Sequence, residues 1–88
     1  MATVKSYDQI RRIIGDNIRR LREDSGRSVI ELSGTIQMVR GYWYEIERGE
    51  PNVTINTLHR IAVLFGVTVM DLLTEANGNG KLKARAKK

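Results

Sequence analysis

Cysteine is absent from this chain, and histidine occurs once, at His59. Disulfide staples, thiol chemistry and zinc-finger ligand sets are therefore excluded. Proline is nearly absent too, with Pro51 alone, so little in the chain forbids helix. No apolar run exceeds a few residues, far short of the roughly 20 that span a bilayer. The opening residues, Met1 to Ser6, lack the apolar stretch of a signal peptide, which makes the cytoplasm the default expectation. What is present is an ordinary globular balance. Hydrophobic residues make up 41% and charged residues 28% of 88 positions, enough for one small domain with one core.

The formal net charge is +5, which by itself points toward nucleic acid. Its distribution changes that inference. All ten acidic residues lie before position 77, and ten of the fifteen basic residues do too. The excess belongs to Lys81, Lys83, Arg85, Lys87 and Lys88. Residues 1–76 are neutral as a set, although five arginines cluster between positions 11 and 22. The Asn-Gly-Asn-Gly stretch from position 77 and the Lys/Arg run after it read as a flexible basic tail over 77–88. Such a tail serves solubility, or binds phosphates without sequence preference.

The body reads as all helical, because no segment shows the period-two alternation of a half-buried strand. Ser6 and Gln9 fit a capping box. Behind it, Ile10, Ile13, Ile14, Ile18 and Leu21 recur on one helical face. Gly26 is placed to end that helix. Ser28 and Glu31 form a second box, opening a short helix with Val29, Leu32, Ser33 and Ile36 inward. Residues 40–48 form a third helix, closed by Gly49, with Trp43 and Ile46 toward the core. Thr54 caps a fourth, with Ile55, Leu58, Ile61, Ala62 and Phe65 inward and Gly66 after its end. Thr68 and Asp71 box a short fifth helix containing Leu72 and Leu73.

Two short helices joined by a turn of about four residues make a helix-turn-helix unit. Over residues 14–73 the sequence resembles the lambda-repressor/Cro class, also called XRE-type. The matching stretches run from Ile14-Gly15, Ile18-Arg19 and Leu21-Arg22 through Glu31-Leu32 to Ile46-Glu47-Arg48-Gly49-Glu50. They continue through Thr57-Leu58, Arg60-Ile61-Ala62 and Phe65-Gly66-Val67-Thr68 to Asp71-Leu72-Leu73. The resemblance implies a compact five-helix bundle over residues 14–76, preceded by an extension (1–13) that continues into the first helix. It implies double-stranded DNA as partner, with residues 29–36 and 40–48 as the two helices of the unit, the second being the recognition helix.

On that reading the DNA-facing residues are Gln37, Val39, Arg40, Gly41, Tyr42, Tyr44 and Glu45, with Arg48 and Asn52 near phosphate. Arg40 suits bidentate bonding to guanine, and Glu45 suits the cytosine amino group. Gly41 lets backbone approach closely. Tyr42 and Tyr44 suit phosphate, a thymine methyl or a protein surface. Arg22 and Glu47 match a structural salt bridge of the family.

Four positions depart from the family pattern. Val29 stands where a phosphate-anchoring glutamine is usual, and Ser33 replaces a small alanine. Gln37 replaces the turn glycine, which asks a non-glycine to turn left-handed. Val39 replaces a Ser or Thr cap, losing about 1 kcal/mol of capping.

Single-domain members of this class often dimerise, which implies a homodimer on a palindromic operator with half-sites about 34 Å apart. Val69, Met70, Leu72 and Leu73 are the candidate contact surface, with simple core closure as their alternative role. Tyr7, Ile10 and Ile13 either cover the fifth helix or join such a contact. Arg11, Arg12, Arg19 and Arg20 are expected to point away from the apolar face of the first helix.

Asp8, Asp16 and Asp24 do not pair, and His59 has no orienting partner, so no enzyme, metal, cofactor or small-molecule ligand is indicated. The expected function is a small bacterial or phage-encoded transcriptional regulator, most simply a repressor, cytoplasmic and nucleoid-associated when bound. Two other readings stand beside it: an adaptor that uses the same fold on a protein partner, and a nonspecific nucleic-acid binder driven by the tail.

Overall fold

The computed structural model describes residues 5–76, which form five helices. They are α1 (Tyr7–Ser25), α2 (Val29–Thr35), α3 (Arg40–Glu47), α4 (Ile55–Phe65) and α5 (Val69–Leu73). The extension's first four residues and the basic tail lie outside the described residues.

Each helix start follows from local hydrogen-bond chemistry. A helix leaves its first N–H groups without intrahelical acceptors, and a Ser, Thr, Asp or Asn side chain can supply one. Ser6, Ser28 and Thr68 do so in reciprocal capping boxes with Gln9, Glu31 and Asp71. Thr54 caps α4 by accepting from the Thr57 N–H. The start of α3 differs: Val39 occupies its cap and offers no side-chain bond.

The ends of α2, α3 and α4 share one device. The chain turns left-handed, and two N–H groups fold back onto the last carbonyls. At α4 the Gly66 N–H reaches Val63 and the Val67 N–H reaches Ala62. At α3 Gly49 and Glu50 repeat the pattern, and at α2 Gln37 and Met38 do. Gly66 and Gly49 have φ of 72° and 75°, where a glycine is free of Cβ strain. Gln37, at φ 55°, is the one non-glycine among the described residues with positive φ.

α1 runs through the centre of the packing, against α3 on one side and α5 on another. α2 packs on α3, and α4 on α5. Ile14, Ile18 and Leu21 of α1 meet Leu32, Trp43, Ile46, Leu58, Ile61, Phe65 and Leu72 in one core. Trp43 and Phe65 meet edge-on, with ring centroids 6.1 Å apart, a geometry worth about 1 kcal/mol beyond area burial.

Two polar features fix how α1 meets its neighbours. Asn17 is fully buried, and its amide donates to the carbonyls of Leu72 (2.8 Å) and Thr74 (2.9 Å). It thereby satisfies the end of α5, which has no glycine turn. Gly15 lies flat against α3. A Cβ there would stand 2.5 Å from the Ile46 carbonyl oxygen and 2.6 Å from that of Glu47.

Three expectations need correction and one alternative is removed. Ile55, expected inward, is 68% exposed in the first turn of α4, ahead of the packed face that begins at Leu58. Leu72 is fully buried, so it closes the core and cannot belong to a contact surface. Of the two roles open to Tyr7, its 79% exposure removes the cover of α5 and leaves the contact surface. Arg11 does not simply point away. Its guanidinium lies half-buried, bonded to Asp8 and to the side-chain Oδ1 of Asn52 in the α3–α4 loop.

Candidate nucleic-acid interface

α2, the turn through Ile36–Val39, and α3 form the expected helix pair. Glutamine at the left-handed position is held by the bonds on either side of it. Its own N–H reaches the Gly34 carbonyl at 3.1 Å, and the Met38 N–H reaches Ser33 at 2.8 Å. Arg60 of α4 donates to the Ile36 carbonyl and satisfies the end of α2 from outside. Ser33 is buried, and its hydroxyl donates back to the Val29 carbonyl, which leaves no unpaired polar group where an alanine is usual. Val29 itself is buried in the core, so neither its chemistry nor its position offers an outward donor.

α3 has two distinct faces. Arg40, Gly41, Tyr44, Glu45 and Arg48 are exposed and recur at helical spacing along one side. Tyr42 is half-buried at the flank, and Val39, just ahead of the helix, is 74% exposed. Gln37 is exposed in the turn before it. Arg40 has no ionic or hydrogen-bonding partner among the described residues. Trp43, Ile46 and Glu47 form the opposite, buried face.

The buried face is anchored by charge as well as by packing. Glu47 is 6% exposed, and burying a carboxylate is costly unless it is paired and hydrogen-bonded. Here it takes both forks of Arg22, Nε to Oε2 at 2.7 Å and Nη2 to Oε1 at 3.0 Å. The Trp43 indole N–H donates to Oε2 at 2.7 Å. Arg19 adds a second positive charge at 3.9 Å. The hydrogen bonds to Glu47 raise the Arg22 pKa above its ordinary value. The sequence indicated the Arg22–Glu47 pairing but not the part of Trp43. An indole at this position brings a donor that an aliphatic residue lacks, and one turn of helix places it against Glu47.

The two residues expected near phosphate are occupied within the chain. Arg48 bonds Glu50, and each holds the other charged: the Arg48 pKa is raised and the Glu50 pKa lowered, first through the hydrogen bonds between them. Asn52 accepts from Arg11 at 2.5 Å. Glu50 and Arg11 were not singled out by sequence for these contacts. A glycine that folds the chain back at position 49 was the available signal for Glu50.

On α5, Met70 is 67% exposed, and Val69 and Leu73 are half-buried against the core. His59 is exposed on α4. No group of three or more His, Asp or Glu residues among those described is arranged to hold a metal ion. No described helix is long and apolar enough to cross a membrane.

This arrangement coincides with a known family. The family described as "Helix-turn-helix domain" matches residues 13–75. A curated relative from Sinorhizobium fredii, described as "Uncharacterized HTH-type transcriptional regulator y4dJ", is 32% identical over 65 residues, covering 74% of this chain and 84% of the relative. Another from Deinococcus deserti, "HTH-type transcriptional regulator DdrOP3", is 34% identical over 58 residues, or 66% of this chain. The match spans only 45% of that Deinococcus protein. Among solved structures, a hypothetical transcription factor from Neisseria, NHTF, is similar, with a TM-score of 0.72 and 25% identity. The similarity covers 85% of this chain and 86% of that one. The chain therefore belongs to the helix-turn-helix family, in the XRE-like group of regulators that its motifs resemble.

Proposed function

We propose that this protein is a transcription regulator that binds duplex DNA sequence-specifically, with α3 in the major groove. The observation that carries the reading is the division of α3. One face is locked to α1 through Glu47, Arg22 and Gly15, and the other presents Arg40, Gly41, Tyr44 and Glu45 to solvent. A rigidly held helix with a free arginine near its N-terminus is what base reading requires. Arg40 then takes guanine through both nitrogens, Glu45 accepts from cytosine, and Tyr44 lies toward phosphate or a thymine methyl. The names of the curated relatives support the same reading.

The finer form of the proposal is a repressor that binds a palindromic operator as a homodimer. Met70, flanked by Val69 and Leu73, is the apolar surface on α5 that supports it. Titrating labelled protein with duplex DNA and following backbone amide resonances tests the whole reading. The shifts should concentrate at the N-terminal turn of α3 and the turn before it. Shifts confined to residues 77–88 would instead favour binding by the tail, and no shift on α3 would point to a protein partner.

A further inference from the structure

At the end of α3 the backbone holds two opposite charges side by side. The Gly49 N–H reaches the Ile46 carbonyl at 2.9 Å, and the Glu50 N–H reaches that of Glu45 at 3.1 Å. Those bonds fix the chain on both sides of Gly49, with Arg48 before the turn and Glu50 after it. The turn also rests on α1, since a Cβ on Gly49 would come within 3.2 Å of the Arg12 Cα. From these fixed positions the side chains meet in two contacts, Nε to Oε2 at 2.7 Å and Nη2 to Oε1 at 3.3 Å. A guanidinium edge on two oxygens is also the geometry by which arginine takes a phosphate. One edge cannot hold both partners at once.

We propose that Glu50 occupies the phosphate-binding edge of Arg48 and is displaced when α3 enters a duplex, so that Glu50 sets the strength and salt dependence of binding. This rests on α3 being the recognition helix. The charge accounting gives the device a signature. A free arginine that neutralises a phosphate releases a condensed cation to solution. Salt also screens the competing Arg48–Glu50 pair, so rising salt weakens the competitor together with the phosphate contact and flattens the salt dependence. An exposed ion pair is weak, so Glu50 tunes binding and does not block it.

The test uses the full chain, Glu50→Gln, Arg48→Ala and the double variant. Each is titrated against a fluorescent random-sequence duplex of about 21 base pairs, two helical turns, over a series of salt concentrations. Circular dichroism checks that these exposed substitutions leave the helices intact. Glu50→Gln should bind about two- to fivefold more tightly than the unmodified chain at low salt. Its plot of log affinity against log salt should be steeper, by less than the roughly 0.9 that one whole phosphate contact contributes. Both differences should vanish when Glu50→Gln is introduced into the Arg48→Ala background. Equal affinity and slope for the unmodified chain and Glu50→Gln would overturn the proposal. So would an equal gain in the Arg48→Ala background, which would make Glu50 a remote repulsive charge. Absence of binding by all four proteins, or binding by the tail that neither Arg48→Ala nor Glu50→Gln alters in affinity or slope, would overturn the reading of α3 itself and this inference with it, whereas an Arg48→Ala loss with no Glu50→Gln effect would overturn this inference alone.

Discussion

The two ends of α3 are built in opposite ways. Its C-terminal half is fastened to α1 by a buried carboxylate with three hydrogen bonds, by Gly15 flat against two carbonyls, and by a glycine-closed turn. Its N-terminal end has no side-chain cap, follows a left-handed glutamine, and begins with exposed Val39 and unpartnered Arg40. The contrast locates where stability was concentrated and where it was given up. The fastened end sets the angle at which the helix leaves the bundle. The loose end is the part that base edges would meet. Local departures from good capping and turn chemistry are expected where a surface serves recognition.

This contrast can be broken first at the anchor. Glu47→Ala should have the largest effect, a loss of about 3 kcal/mol, because it strands the Arg22 guanidinium and the Trp43 indole N–H near the core. Urea unfolding would measure it. A loss below about 0.5 kcal/mol would mean that the buried pair is not an anchor. Gly15→Ala comes next, at about 2 kcal/mol, because its Cβ meets backbone oxygens that cannot rotate away. Here the thermal midpoint should fall, and an unchanged midpoint would show that α1 and α3 separate easily.

At the loose end the sign reverses. Val39→Ser should stabilise by about 1 kcal/mol, by giving α3 the cap it lacks. Hydrogen exchange in the first turn of α3 should slow accordingly, and unchanged exchange would contradict the account. Gln37→Gly should give the smallest gain, about 0.5 kcal/mol, since relief at φ 55° is partly offset by the entropy of glycine in the unfolded chain. A destabilised Gln37→Gly would show that the glutamine side chain contributes more than its backbone costs.

Much of this molecule was legible from its residues because the signals were local. Ser6 with Gln9, Ser28 with Glu31, and Thr68 with Asp71 each lie three apart, and all three boxes form. Gly26, Gly49 and Gly66 each turn left-handed where a helix stops. The left-handed Gln37 and the missing cap at Val39 came instead from the resemblance to the family, as departures from its pattern. The outer face of α3 followed from helical period. What was not legible depends on contacts between distant parts of the chain. Asn17 looks like any polar position on a helix, yet its amide caps an element more than fifty residues away. Leu72 fits a surface or a core by sequence, and only packing decides for the core. Arg11 and Asn52 lie 41 positions apart, and neither alone points to the other. Arg48 and Glu50 are near neighbours, but pairing at a separation of two needs the chain reversal that Gly49 provides.

The central claim is that the outer face of α3 reads bases. Selection from a random duplex pool with the full chain, in about 150 mM salt to screen weak phosphate contacts, tests it most directly. The account predicts enrichment of a defined, palindromic sequence that Arg40→Ala no longer enriches, with a cost of about 1–3 kcal/mol at one base pair of each half-site. Enrichment of no sequence, or of one that survives Arg40→Ala unchanged, would contradict it.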